Sequence, residues 1–347
     1  MNKAALIFGI TAVLLAPSVI ARPGAGDYLK KPDTWFAEPE AKVVAAAILS
    51  YQSELGGWPK NIDTTKAGGK PKENSPTFDN NATMNEMRFL ARIHVATHDA
   101  SYASAFDRGL DYILKAQYPT GGWPQSYPPD ESYHRYITFN DNAMVNLMNF
   151  ILEVSGDEHY AFVQIEKREA CARAFERGVR CILKCQVKKD GKLTAWCAQH
   201  DEIDYSPRPA RAFEPMGLSG SESVGIVKLL MSLDHPDDST VAAIEGAIAW
   251  FDRVKITGHK VVEMADDKAP DGKDRRWVED AAAPPIWARF YEINTDRPIF
   301  SDRDSSILFD YSQIGYERRN GYTWLGDWPQ NLLEKEYPKW RKAHGKP

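Results

Sequence analysis

Ile113-Leu114-Lys115-Ala116-Gln117, followed after three intervening residues by Gly121-Gly122-Trp123-Pro124, decides how this chain reads. The first string is the end of an apolar helical face. The paired glycines supply the left-handed backbone that stops a helix, and the tryptophan brings a large apolar body that must be buried. The same signal occurs on either side. Ile48-Leu49-Ser50-Tyr51-Gln52 precedes Gly56-Gly57-Trp58-Pro59, and Ile182-Leu183-Lys184-Cys185-Gln186 precedes Asp190-Gly191 and Trp196. A fainter echo, Gly326-Asp327-Trp328-Pro329, lies near the end of the chain.

A second element repeats in step with the first. Thr77-Phe78-Asp79-Asn80-Asn81-Ala82 leads into Met84, Met87, Phe89, Leu90 and Ile93. Thr138-Phe139-Asn140-Asp141-Asn142-Ala143 leads into Met144, Leu147, Met148, Phe150 and Ile151. Ser219-Gly220-Ser221-Glu222-Ser223 plays the same part before Val224, Ile226, Val227, Leu229 and Leu230. Apolar residues three and four apart define helices. Each unit therefore reads as helix, Gly-Trp loop, polar stretch and second helix. Stacking such hairpins in a ring predicts an all-α fold, an α/α toroid or barrel with long functional loops. Period-two runs are scarce, and residues 257–280 read as loop.

Residues 1–21 read as a secretory signal peptide. Lys3 is followed by an apolar run from Ala4 to Pro17, short of the ~20 residues that a membrane span needs, and Val19-Ile20-Ala21 offers a cleavage site. The expectation is an exported protein, periplasmic or secreted, with no stable membrane insertion after cleavage. No linker divides residues 22–347, which read as one catalytic domain and a monomer. The formal net charge is −5, which gives nothing to attract nucleic acid. Export permits disulfides. Cys181 and Cys185 are one helical turn apart and poorly placed to pair, leaving a Cys185–Cys197 bridge or buried free thiols as the alternatives.

In a ring of hairpins the polar loops meet at one end. Asp79-Asn80 and Asp141-Asn142 suit a hard cation such as calcium, which takes oxygen ligands, or else cap their helices. The loop Pro207-Arg208-Pro209-Ala210-Arg211 presents arginines before a helix start, an arrangement suited to anions. Glu222 reads as a first-turn partner of the helix dipole. Trp287 to Glu292 and Arg297 to Asp304 interleave arginines with aromatics. Arginine forks match carboxylates, although Arg303 can also pair with its neighbours Asp302 or Asp304. An anionic ligand bridged by a divalent cation fits this set.

Nine motifs resemble those of the polysaccharide lyase family 10 pectate lyases: GGWPKN at Gly56–Asn61, FDNNAT at Phe78–Thr83, GGWPQ at Gly121–Gln125, TFNDNAM at Thr138–Met144, WCAQHD at Trp196–Asp201, ARAFE at Ala210–Glu214, LSGSES at Leu218–Ser223, WARFYEI at Trp287–Ile293 and RPIFSDRD at Arg297–Asp304. The resemblance implies calcium-assisted β-elimination of polygalacturonate or its oligomers, giving 4,5-unsaturated products. It implies that Asp79 and Asp141 handle calcium and substrate, with Asn80 beside the first. Arg211 is the implied base, with Arg208 nearby as the alternative, and Arg289 and Arg303 are implied to bind galacturonate carboxylates. Lys60 and Arg208 complete the candidate substrate-binding set. The chain departs from the family pattern at Phe213 and at Met216-Gly217. Two other functions compete: a glycoside hydrolase using Asp79 and Asp141 as its carboxylate pair, and a non-catalytic pectin-binding protein.

Overall fold

The computed structural model describes residues 24–68 and 76–344. The signal segment assigned to residues 1–21 lies outside them. The helices are α1 (Ala25–Tyr28), α2 (Pro39–Ser50), α3 (Met84–Thr97), α4 (Ala100–Ala116), α5 (Ala143–Gly156), α6 (Ile165–Cys185), α7 (Glu222–Met231), α8 (Asp238–Val254), α9 (Tyr316–Gly321) and α10 (Tyr337–His344). Two rows of helices face each other. α2, α4, α6 and α8 pack side by side, and α3, α5 and α7 pair with α4, α6 and α8 in turn.

Composition explains which row is which. On α5, Ala143, Met144, Val145, Leu147, Met148, Phe150, Ile151 and Val154 are all buried, so the helix is apolar on most of its circumference and belongs inside. α6 buries one face through Cys171, Ala174, Phe175, Gly178, Cys181 and Ile182 and turns its charged residues to water. The turns between partners are short and capped. His98 leaves α3 in the left-handed region at φ 57°, and the Asp99 side chain accepts from the Ser101 amide at 2.8 Å to start α4.

The Gly-Trp repeat turns out to be a structural stitch. The indole N–H of Trp58 donates to the Ile48 carbonyl at 2.7 Å, Trp123 to Ile113 at 2.9 Å, and Trp196 to Ile182 at 2.7 Å. Each ring is fully buried and satisfies one of the carbonyls that a helix end leaves free. The glutamine of each unit ties the loop to the next helix of the outer row. Gln52 donates to Gly56 and Ala105, Gln117 to Gly121 and Ala174, and Gln186 to Thr194 and Ala243, all at 2.7–2.9 Å. Glycine is required where the loop touches that helix. A Cβ on Gly121, at φ +96°, would lie 2.3 Å from the Arg177 carbonyl oxygen, and Gly56 repeats the geometry against Arg108.

The all-α expectation is wrong. Among the described residues the chain forms several small antiparallel sheets as well as helices. Ile137–Thr138, Gln199–His200 and Pro207–Arg208 make one. Leu218–Ser219, Phe290–Tyr291, Pro298–Ser301 and Ile307–Leu308 make another, and Trp287–Ala288 pairs with Leu325–Gly326. The segment read as loop contains a hairpin, His259–Ala265 against Lys273–Glu279, in register from His259↔Glu279 to Ala265↔Lys273. The hairpin repeat stops at α8. Beyond it, Phe290, Ile299, Phe300, Tyr311, Ile314 and Trp324 gather with Ala198 into a second apolar cluster. The four cysteines are buried free thiols, so the Cys185–Cys197 bridge is not formed. No helix among the described residues is long and apolar enough to cross a membrane.

Candidate active site

The sheets collect the loops at the N-terminal ends of α3, α5 and α7, and the polar clusters meet there. The turns before α3 and α5 share one backbone shape. Asp79-Asn80-Asn81 and Asn140-Asp141-Asn142 are single 3-10 turns whose second residue is left-handed, at φ 54° for Asn80 and 50° for Asp141. Asn and Asp are the non-glycine residues that enter this region most easily. The two turns lie against each other. In each, the first residue is buried, Asp79 in one and Asn140 in the other, while the second is exposed. Neither aspartate caps a helix: the cap positions are Thr83 and Asn142, and no side chain fills that role at either. Helix capping therefore accounts for neither carboxylate.

Asp79 is buried beneath the first loop. Its Oδ2 accepts from the Lys60 ammonium and, at 3.0 Å, from the Gln125 amide, while its Oδ1 is buried with no hydrogen-bond partner. Asp141 accepts Arg289 Nη2 on Oδ1 at 3.0 Å and Asn140 Nδ2 on Oδ2 at 2.9 Å. Arg289 also donates to Glu222, whose second oxygen takes the Ser219 hydroxyl. Burial pulls the Arg289 pKa down, but Glu222, Tyr322 and Asp141 outweigh it, and the guanidinium is held firmly charged.

Arg211 belongs to the neighbouring group. Its Nε donates to Glu214 Oε2 at 2.7 Å, and its Nη2 donates to Oε1. The hydrogen bonding of the guanidinium to Glu214 is the main reason its pKa is raised; burial opposes the rise. The Tyr322 hydroxyl donates to Glu214 Oε1 at 2.9 Å, and Arg289 lies over the Tyr322 ring at 5.1 Å, so Tyr322 joins the two arginine groups. Phe213 carries three guanidiniums: Arg318 at 4.5 Å, Arg211 at 4.9 Å and Arg303 at 5.5 Å from its centre. Tyr133 feels the charges of Arg211, Glu214 and Asp79, while burial raises its own pKa.

Two candidates sit differently from the sequence reading. Arg303 is exposed and pairs with Glu317, at 3.0 Å through both Nε and Nη2, rather than with the side chain of Asp302 or Asp304. Glu317 also takes Arg318, and the two arginines, Arg318 first, lower its pKa to about 2. Arg208 is held by Asp201 at 2.9 and 3.0 Å on the strand beside Gln199–His200. Sequence reasoning missed Glu214, Tyr322, Gln125 and Tyr133, and it gave Glu222 to the helix dipole alone. Two of these were within reach: Glu214 lies three residues after Arg211, and Gln125 closes the second Gly-Gly-Trp-Pro loop.

The cations of this site are already matched by carboxylates of the chain. An anionic ligand must displace those partners or arrive with a cation of its own. The family model for pectic acid lyase matches residues 52–333. A family 10 polysaccharide lyase from Cellvibrio cellulosa, solved as a mutant in complex with trigalacturonic acid, is 34% identical with a TM-score of 0.75, over 91% of this chain and 98% of that one. The same organism's family 10 polysaccharide lyase, in a second structure, gives 34% and 0.75 over 90% and 96%. No protein of curated function matches the chain. The chain is thus an enzyme, a polysaccharide lyase. The chain belongs to the pectic acid lyase family and is a pectate lyase, which removes the hydrolase and binding-protein alternatives.

Proposed function

We propose that the enzyme cleaves α-1,4-polygalacturonate by β-elimination, with calcium shared between substrate carboxylates and the pair Asp79 and Asp141. The observation that carries the reading is the pairing of the two turns, which sets an unpartnered buried oxygen of Asp79 beside the Asp141 turn. The donors fit calcium in kind, since they are oxygens. Asn142 Oδ1 is a second buried acceptor without a partner. Among the described residues no group of three His, Cys, Asp or Glu side chains could hold a metal alone, so the substrate would complete the shell. When bound, the ion would neutralise a uronate carboxylate and favour negative charge developing at C5.

The chain's own residues do the rest. Lys60, Asn80, Arg289 and Arg303 orient uronate groups, and Arg208 extends the cationic rim. Arg211 takes the C5 proton. The C–H electron pair forms the C4–C5 double bond, the C4–O bond breaks, and the leaving oxygen takes a proton from solvent. A neutral guanidine is needed, and fewer than roughly one in 10⁵ arginines are neutral at pH 7. Glu214 holds the resting guanidinium charged, so its grip must loosen when substrate binds, and alkaline medium must help. A polymeric substrate and the signal-like segment at residues 1–21 support a location outside the cytoplasm, periplasmic or secreted, for a monomeric enzyme.

The test is ultraviolet absorbance on polygalacturonate at alkaline pH. The product double bond absorbs, so the signal should rise with calcium, stop with chelator and return when calcium is restored. A rate indifferent to chelator would remove calcium from the mechanism. A rate flat between about pH 6 and pH 10 would remove arginine as the base.

A further inference from the structure

The inner helices carry a cleft that the elimination does not use. α3 and α5 bury most of their surface and leave one polar stripe each. On α3 it holds Asn85 and Arg88, and on α5 Asn146, Asn149 and Glu153, with Leu152 the one apolar residue beside them. With Asn81 they line a cleft of about 500 Å³, within the range of small-ligand sites. Asn85 and Asn146 stand eight residues after Thr77 and Thr138, so they occupy the same place in the repeat.

Two properties define what this cleft can hold. The side chains of Asn81, Asn85, Asn146 and Asn149 make no hydrogen bond among the described residues. Each therefore keeps a carbonyl acceptor and an NH₂ donor free. The charge in the cleft is already cancelled. Arg88 donates to both oxygens of Glu153, at 2.8 and 2.7 Å, and lies over the Phe150 ring at 5.0 Å. A carboxylate entering here would have to displace Glu153 from Arg88, with no second cation among the described lining residues to receive it, whereas a hydroxyl, both donor and acceptor, matches an amide. The cleft does not extend to α7. Gly225 follows Ser223 there as Asn85 follows Thr83, and a Cβ on it would lie 2.1 Å from Asn142 Oδ1.

We propose that the cleft between α3 and α5 binds uncharged pyranosyl units through their hydroxyls. They are either methyl-esterified galacturonosyl units or neutral sugars, which share a hydroxylated ring without a carboxylate. The enzyme would then hold uncharged stretches of a pectic polymer beside the turn that carries Asp79, since Asn81 belongs to that turn. The inference goes beyond the elimination reading and does not depend on it.

The test is side-chain amide NMR of the whole protein, titrated separately with fully methyl-esterified trigalacturonate and with galactotriose. One or both should shift the signals of Asn85, Asn146 and Asn149, and the one that does so identifies the source of the sugar. The double variant Asn146→Leu/Asn149→Leu should bind that probe about tenfold more weakly, while its cleavage of polygalacturonate stays within about twofold. Should the double variant melt early, Asn85→Ala takes its place. The proposal is overturned if neither probe shifts these signals at millimolar concentration, if the variant binds as tightly as the parent, or if ionised trigalacturonate shifts them equally well.

Discussion

Replacing Glu214 by glutamine separates the two roles open to Arg211. Glu214 accepts two hydrogen bonds from the guanidinium and one from Tyr322. Glutamine keeps a carbonyl acceptor and removes the charge. A hydrogen bond to a charged group contributes about 1.5–3 kcal/mol. The Arg211 side chain is 44% exposed, so screening by solvent puts the loss at or below the lower end, about 1.4 kcal/mol or one pKa unit. Glu214 raises the arginine pKa, so its removal lowers it. At any pH below that pKa the neutral fraction then rises about tenfold. If neutral Arg211 takes the C5 proton, the acid limb of kcat/KM should move about one unit toward lower pH. Throughout the assay range, which lies below that pKa, the variant's kcat/KM should exceed the parent's by up to about tenfold. The assay is the initial rate of absorbance gain on polygalacturonate, with saturating calcium, from about pH 7 to pH 11. Tyr322→Phe is the control: it frees Glu214 of one neutral hydrogen bond and should leave the limb nearly in place. A Glu214→Gln rate that coincides with the parent's or falls below it throughout this range refutes the argument. Arg211 would then act as a fixed positive charge, and the base would lie elsewhere.

Three further outcomes follow from the packing. Arg289→Ala leaves Glu222, whose side chain is 2% exposed, as a buried charge without its cation. It should cost about 3–5 kcal/mol in chemical denaturation and abolish activity. Gly121→Ala must place a side chain at φ +96° against the Arg177 carbonyl; a loss of at least about 1–2 kcal/mol is expected from the backbone alone, read from the same denaturation curves. His200 accepts the Cys197 amide on Nε2 at 3.1 Å and meets the Tyr205 carbonyl through Nδ1 at 2.8 Å, a pattern that requires the neutral ring. Burial depresses its pKa from 6.5 to about 4. Its contribution is therefore complete above pH 6.5 and lost as the pH falls through about 4, roughly 3 kcal/mol in all. Melting temperatures should fall over that window in the parent and less in His200→Gln.

The helices were legible because each carries a long apolar face bounded by a glycine or a cap. The stitch was visible as well, since Gln52 and Gln117 stand six residues before their tryptophans and Gln186 ten before its own, although its purpose was not. A glutamine that donates both to its own loop and to the next outer helix cannot be recognised until that helix is in place. The sheets were illegible for a different reason. Gln199–His200, Pro207–Arg208 and Leu218–Ser219 are two residues long, too short to show a period of two. They form because tertiary contact brings their backbones together. The hairpin at 259–279 is long enough to show, but its charged residues and central Lys-Ala-Pro-Asp-Gly read first as a loop.

The two aspartates show most clearly where a repeat helps and where it misleads. Thr-Phe-Asp-Asn-Asn and Thr-Phe-Asn-Asp-Asn look like equivalent sites with neighbouring letters exchanged, and their backbones do superimpose in kind. The exchange decides the chemistry. Asp79 takes the inward position, beneath Lys60 and Gln125, with one oxygen left over. Asp141 takes the outward, left-handed position, where Arg289 reaches it while Asn140 fills the inward place. Two aspartates at the inward position would bury like charges in adjoining turns, and two at the outward position would leave no buried carboxylate. With one of each, the site has a fixed buried oxygen and a more accessible carboxylate. A ligand that brings both carboxylates and a divalent cation can use the two in different ways, and a single repeated turn is sufficient to build both.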